Sequence, residues 1–556
     1  MRRFVPIALV GVLAVAVILA LGLWLQPPII PFPIGKETTV AVGPLDKDGY
    51  IDYEAALNER TGKGISPEKN ANVLLWKAFG PRPEGGTRGM PPEYFKALGM
   101  QEPPVKGDYF VSLQSTVPNW SELAPEVQSD IYEQESRASE GPWSAKDSPR
   151  IAHWLAVNEK PLAVVVEATK RSEYFNPLCT WRKEEKGPSS LLACLLPNQK
   201  CREIIAALTA RAMFRVNEGK FDEAWQDLVA SHRLARLVGR DATMIEFLVG
   251  VAFDAVASKA TLAYLERANL SSQEIRDRLK VLQTLPPMPP LADKINLGER
   301  FIYLDCVQMI RRGGVGMLEG LSGGGNMEKP TAAELKGLTR IDWAPALRDG
   351  NKWYDRLADA SRAKSRAERE KLLDQLEQDV KKLKKKTADS DNLAKLIAAK
   401  LGFPDKEVGQ EINNAMISLL LPAVGKVMTA ADRCEQTHRN LLIAFALATF
   451  HKDNGKYPSK LDELAPKYLT SVPVDYFNNK PLTYRVEGKG YVFYSVGPNG
   501  KDDGGRWIND DPPGDDLGVR MPLPGLKGNA LGKNNESYLW FPLRSLIERI
   551  KTTHGN

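Results

Sequence analysis

The sequence predicts a mainly α multidomain ectodomain, tethered by a single N-terminal transmembrane helix and ending in a smaller α+β module, a long helix followed by a small antiparallel sheet. Three observations predict it. The run from Phe4 to Leu25 carries no charge and follows Arg2 and Arg3. From Arg202 to Ala268 apolar residues recur three and four apart, the helical period. Near the C-terminal end, Leu482–Val486 and Tyr491–Val496 alternate like strands after a long apolar helix pattern. The chain has 556 residues and is 43% hydrophobic, enough for several cores. Its net charge is only +6, from 75 Lys and Arg against 69 Asp and Glu, and the signs are mixed along the chain. That balance argues against a nucleic-acid partner, which selects a basic face.

At 1.5 Å per residue, a helix over Phe4–Leu25 crosses the roughly 30 Å hydrocarbon core of a bilayer. Trp24 suits the interface, and the apolar run is longer than that of a cleaved signal peptide. With Arg2 and Arg3 held in the cytoplasm, the rest of the chain is expected outside it, on an inner (cytoplasmic) membrane. Residues 1–26 are therefore read as the anchor and 27–40, with Pro27, Pro28, Pro31 and Pro33, as a stiff stalk. Outside the cytoplasm thiols tend to pair. Cys179, Cys194 and Cys201 are close enough in sequence for one local disulfide, whereas Cys306 and Cys434 lie apart.

Residues 41–200 mix turns and short helices. Asp46-Lys47-Asp48-Gly49-Tyr50-Ile51-Asp52 has the alternating oxygens of a calcium loop, but Leu57 occupies the twelfth position, so a turn leading into a helix near Tyr53 is expected. Residues 201–312 form a helical-hairpin domain: Ile204, Ile205, Leu208, Ala212 and Val216 share one apolar face, and Leu228, Leu234, Leu237 and Val238 another. Between them, Gly219-Lys220-Phe221-Asp222-Glu223-Ala224 resembles the inter-helix turn of a tetratricopeptide repeat. The resemblance covers one hairpin, about 203–238, and implies a surface for a protein partner; no second copy follows at the repeat period.

Residues 313–354 read as a Gly-rich linker. Gly320-Leu321-Ser322-Gly323-Gly324 matches the nucleophile elbow, but a helix precedes it where the elbow needs a strand. Residues 355–401 read as a charged helix in which Leu373, Leu376, Val380 and Leu383 trace a short coiled-coil seam, a second surface for a partner. Lys381, Lys382, Lys384, Lys385 and Lys386 form the one dense basic run.

Residues 410–520 make the α+β module. Its helix pattern is interrupted by Pro422, Gly425 and the polar stretch Asp432–Asn440, and it stops at Asp453-Asn454-Gly455-Lys456-Tyr457-Pro458. A short helix at Leu461–Leu464 and a hairpin turning at Glu487–Gly490 follow. Taken with Val472-Pro473-Val474-Asp475-Tyr476-Phe477-Asn478-Asn479-Lys480-Pro481-Leu482-Thr483-Tyr484 and Tyr494-Ser495-Val496-Gly497-Pro498-Asn499-Gly500, the stretch from about 415 to 519 resembles the globular part of the major pseudopilin of type II secretion systems. The resemblance implies a calcium ion in the last loop. By position its side-chain ligands would be Asp502, Asp503, Asp510 and Asp511, with carbonyls near Ser495 and Val496. Hard oxygens are dense there, and Gly500, Gly504 and Gly505 let the backbone wrap a cation. The chain also departs from that family. The equivalent helix is internal, the membrane run lies roughly 400 residues upstream, and the processed Gly-Phe start with its Glu is missing. Assembly into a pilus is therefore not implied. Residues 521–556 form a Pro- and Gly-rich tail with an amphipathic end.

Five His residues and five Cys leave little room for transition-metal chemistry. The functional expectation is a non-catalytic, membrane-anchored binding or envelope-structural protein. The alternative is an extracytoplasmic hydrolase within 41–200, where His153, near Trp143 and Trp154, would be the base.

Overall fold

A computed structural model describes residues 28–82, 89–179, 191, 198–317, 329–387, 407–421 and 423–524. The anchor run Phe4–Leu25, Cys194, the elbow-like Gly320–Gly324 and most of the 521–556 tail lie outside them. The protein is mostly helical, 58%, with one small three-stranded antiparallel sheet near the C-terminal end. Two compact units divide it, and neither is contiguous in sequence. One draws on Met1–Asp52, Tyr303–Trp353 and Gln378–Leu420, the other on Tyr53–Ile302, Tyr354–Glu377 and Leu421–Asn556. Sequence punctuation predicts a string of successive domains because Gly and Pro mark local breaks; it carries no record of which distant stretches pack together.

In the first unit the Pro-rich stretch read as a stiff stalk makes hydrogen bonds to later segments of the same unit. Ile30 N–H donates to Thr339 O at 2.9 Å, and the Asn351 amide donates to the carbonyls of Glu37 and Thr38 at 3.0 and 2.8 Å. The calcium-loop look-alike is a turn: Asp46 Oδ1 accepts from the N–H groups of Asp48 and Tyr50, and Arg312 pairs with both Asp46 and Asp48. Part of the expected linker is ordered helix, Ala332–Leu338 and the start of Ala344–Ser361. Trp343 and Leu347, both fully buried, anchor it.

The second unit holds the helices that position the site. The helix Ala71–Phe79 (α1) is capped by Asn70, whose side chain accepts from Asn72 N–H. Asn198–Asn217 (α2) and Phe221–Val238 (α3) form the hairpin, turning at Gly219 with φ +76°, a conformation that favours glycine. Met244–Arg267 (α4) and Ser272–Thr284 (α5) each begin with a capping box, Thr243 with Glu246 and Ser271 with Glu274. The helix Ala423–Asn454 (α6) packs against α4 and α5.

Strands Thr483–Glu487 (β1), Gly490–Ser495 (β2) and Leu517–Met521 (β3) pair in that order, with Thr483 opposite Tyr494 and Tyr491 opposite Met521. The sequence pattern predicts the first hairpin and overlooks β3. Leu-Gly-Val-Arg-Met is short, and its Gly518 is demanded by close approach: a Cβ there would fall 2.2 Å from Phe493 O. Leu441, Ile443, Phe445 and Leu447 on α6 belong to the same apolar core as Leu208, Leu228, Phe253 and Leu279 of the helical layers and Tyr491 and Phe493 of the sheet.

The stretch Asp432–Asn440, expected to interrupt the helix, is helical throughout. Asp432, Gln436 and Asn440 stand four apart and are all buried, so they form one polar stripe. Each is bonded: Asp432 to Arg369, Gln436 Oε1 from Tyr476 N–H at 2.7 Å, and Asn440 to Leu517 O at 3.1 Å. Satisfied partners remove the cost that made these residues look like a break.

Among the described residues, two helical stretches are long and apolar enough to cross a membrane by length and composition, Met244–Arg267 and Val408–Asn454. The apolar window of the first is 72% buried inside the protein, as a core helix is.

Candidate functional site

The polar stretch of α6 borders a cleft of 230 Å³ lined by Arg236, Met288, Arg369, Asp432, Cys434 and His438 among others. Cys434 and His438 are one turn apart and share that wall. Behind them α3 and α4 supply a buried charge cluster. His232 Nδ1 lies 2.7 Å from Asp254 Oδ1, and His232 Nε2 lies 3.1 Å from Thr261 Oγ1. The Arg236 guanidinium donates to Asp254 at 2.5 Å, to His232 O at 3.0 Å and to Pro286 O at 2.7 Å. The Cys434 thiol donates to Asp254 Oδ2 at 3.4 Å, which joins α6 to the cluster.

Electrostatics fixes the charge states. Burial alone would raise the Asp254 carboxyl, but Arg236 and His232 outweigh it and hold Asp254 well below the usual carboxylate range. Burial, with Asp254 adding to it, pushes the Cys434 thiol far up. Burial, with Arg236 adding to it, pulls the His438 imidazole down to about 4. At neutral pH the thiol therefore keeps its proton and His438 is uncharged. A thiolate–imidazolium nucleophile is not formed here. What remains is a set of buried donors and acceptors beside apolar Phe247, Met288, Leu291 and Met428. His438 Nδ1 is buried against this cleft without a hydrogen-bond partner.

The loop expected to hold calcium is closed by its own hydrogen bonds. Asp502 Oδ1 accepts from Tyr494 Oη at 3.1 Å and Gly504 N–H at 2.8 Å. Asp503 Oδ2 accepts from Asp515 N–H at 2.8 Å and the Asn499 amide at 3.0 Å, and Asp510 Oδ2 accepts from Trp507 N–H at 2.9 Å. Asp511 is exposed. Ser495 Oγ donates to Asp475 Oδ1 at 2.8 Å and Val496 N–H to Asp475 Oδ2 at 2.9 Å. Among the described residues no three His, Cys, Asp or Glu side chains are grouped to hold a metal ion. As placed, the four aspartates do not form a ready calcium cage.

Two further carboxylates organise this region, Asp475 and Asp516, neither of which the sequence assigned as a ligand. Both are buried, and Asp516 accepts from Gly505 N–H at 2.7 Å. Asp475 was visible only as part of a motif, although Asp two residues before a turn N–H is a recurring cap. His232 with Arg236, and Cys434 with His438, each stand four apart on one helix; the sequence shows that spacing but not that the two helices face each other.

His153, the base of the alternative reading, is exposed on the helix Pro149–Val157 and lines none of the clefts described here. Trp154 and Trp143 are buried and bonded to backbone carbonyls, the role of core tryptophans. Cys201, Cys306 and Cys434 are buried free thiols. The expected local disulfide therefore does not involve Cys201.

No protein-family model matches this chain, and neither a curated protein nor a solved structure matches it.

Proposed function

We propose that the chain is a non-catalytic, membrane-anchored extracytoplasmic protein of binding or envelope-structural type, in which a pseudopilin-like module is built into a helical body. One observation carries the reading: α6, the stem of that module, shares a single apolar core with α2–α5 and the sheet. A pilus subunit offers this helix to its neighbours. Here it is occupied within the chain. The element order supports the likeness, since a long helix is followed by Leu461–Leu464 and a three-stranded antiparallel sheet. The locked charge states around Asp254 favour binding over catalysis at the α6 cleft.

The test is made on the full chain in detergent micelles. Hydrogen exchange over 198–285 and 423–521 is expected to report one cooperative opening, with particles that stay monomeric or small. Filaments, or a module that opens separately from the helices, would overturn the reading. Location is tested by protease treatment of spheroplasts: digestion of the bulk of the chain supports an extracytoplasmic body behind Phe4–Leu25, and full protection refutes it.

Calcium is a separable part of the proposal. Binding would require Asp502, Asp503 and Asp510 to turn toward one point while the loop N–H groups find other partners. A rise in melting temperature of the full chain at millimolar calcium supports it, and an unchanged melting temperature removes it.

A further inference from the structure

Beneath a second cleft, of 400 Å³, lined by Arg240, Ala242, Pro287, Lys294 and Leu297 among others, the second unit holds a stitched seam. The chain entering α4 runs against the helical segment Leu291–Glu299. Gly298 is required at the contact, because a Cβ there would lie 2.3 Å from Ala242 O. Lys294 Nζ donates to the carbonyls of Arg240 and Asp241, and Met244 N–H donates to Glu299 Oε1 at 3.1 Å. Two carboxyl groups meet inside this seam. Asp241 and Glu246 are hydrogen-bonded to each other, 4% and 0% exposed. Glu246 also accepts from Thr243 N–H and from the Asn176 amide, both at 3.2 Å, and Asn176 in turn accepts from Tyr94 Oη. Asp241 Oδ1 accepts from Ala242 N–H at 2.9 Å, while Oδ2 is buried without an N–H donor at hydrogen-bonding geometry.

Two carboxylates cannot bond to each other unless one carries a proton, and the Asp241 oxygen without an N–H donor is free to share it. We propose that Asp241 and Glu246 share one proton, and that this proton is a pH-sensitive clamp on the seam between the start of α4 and Leu291–Glu299, which borders the 400 Å³ cleft. Losing it leaves two facing anions with Lys294 as the cation bonded into the seam. The other titratable groups around the pair are Arg240 and Asp293 beside Lys294, Glu299, Tyr94, Tyr174, and Cys201 with Arg202 on α2. Burial raises Glu246 well above the ordinary carboxyl range, with Asp241 adding to it. The fold therefore binds this proton more tightly than the unfolded chain does. The stabilisation is complete below the ordinary carboxyl value near 4.5 and is lost as pH rises toward the folded value.

The clamp is tested by hydrogen exchange on the full chain in micelles between pH 5 and 8. After correction for intrinsic exchange, the amides of 240–247 and 294–300 are expected to open more often as pH rises, by up to about tenfold per unit. Glu246→Gln keeps the shape with a permanent N–H donor and should flatten that slope, while Glu299→Gln should leave a slope. Equal slopes in the Glu246→Gln variant and the unaltered protein would overturn the proposal. Should the variant fail to fold, carboxyl carbon NMR of the unaltered protein decides. A Glu carboxyl still protonated at pH 8, above Glu135 and Glu299 at about 7, supports the clamp, and complete ionisation by pH 7 refutes it.

Discussion

Replacing Asp254 by Asn tests whether the cluster beside α6 is held by charge. The side chain is buried between α3, α4 and α6, and it compensates Arg236, whose own side chain is 4% exposed. Asn keeps the volume and an acceptor oxygen for the Arg236 N–H at Oδ1. The guanidinium also retains its bonds to His232 O and Pro286 O, so the number of hydrogen bonds changes little. The charge is what disappears. Breaking a buried ion pair by removing one partner costs about 3–5 kcal/mol, because the remaining ion stays desolvated without an opposite charge. The expected loss is thus about 3–5 kcal/mol, a large part of the roughly 5–15 kcal/mol that stabilises a domain. It should be constant from pH 5 to 8. Asp254 sits far below the usual carboxylate value, so its contribution is lost only as pH falls through that low folded value. Urea unfolding of the full chain by circular dichroism, together with Arg236→Met and the double variant, supplies the measurement. In the Arg236→Met background the Asp254→Asn cost should shrink, since the cation it leaves exposed to low dielectric is gone. A loss below about 1 kcal/mol, or one of the same size in both backgrounds, would refute the argument that the pair is an electrostatic unit.

Two further substitutions and one labelling experiment probe the rest of the fold. Asp475→Ala strands Ser495 Oγ and the N–H groups of Val496 and Phe477, three bonds lost at once, and is expected to cost about 2–4 kcal/mol with faster exchange at the end of β2. Gly497→Ala places a Cβ 2.0 Å from Asp515 O at φ +67° and should detach the acidic loop from the sheet, read as loss of the Asn499 and Asp515 amide protection. The Cys434 thiol, raised by burial and by Asp254, should resist alkylation at pH 8 in the folded chain and react once urea unfolds it; rapid labelling under native conditions would show that the cleft wall is open.

The sequence read most clearly where periodicity and caps speak together. Ile204, Leu208 and Ala212 share a buried face of α2, Gly219 makes the turn, and Tyr491–Ser495 is a strand because alternation, aromatic content and the Glu487–Gly490 turn agree. It misled where a polar residue was judged by its own helix alone. Asp432, Gln436 and Asn440 look like a break in an apolar pattern, yet their partners Arg369, Tyr476 and Leu517 come from segments far along the chain. The same holds for the candidate site. The i,i+4 pairs His232/Arg236 and Cys434/His438 were present in the sequence, but Asp254, which unites them, stands on a third helix. The resemblance placed the calcium expectation on Asp502, Asp503, Asp510 and Asp511 by position; Asp475 and Asp516 are the buried carboxylates of this region, which burial distinguishes and composition does not.

The packing of α6 bears on whether this helix could serve in an assembly. Leu441, Ile443, Phe445 and Leu447 are 1% exposed or less. Uncovering one such side chain costs about 1.5–3 kcal/mol, so offering this stretch of α6 to another subunit would cost roughly 6–12 kcal/mol before any new contact forms. That is the scale of a whole domain's stability. Assembly through α6 would therefore amount to unfolding the second unit. The polar stripe Asp432–Asn440 fits the same logic. A stem that packs in a homopolymer needs an apolar face along its length, but a stem fixed inside one chain can carry buried polar residues, because each finds a single permanent partner. Arg369, Tyr476 and Leu517 are such partners, and the cleft at Cys434 and His438 lies along this polar part of the helix. One face of α6 is thus closed into the core, and another lines the cleft.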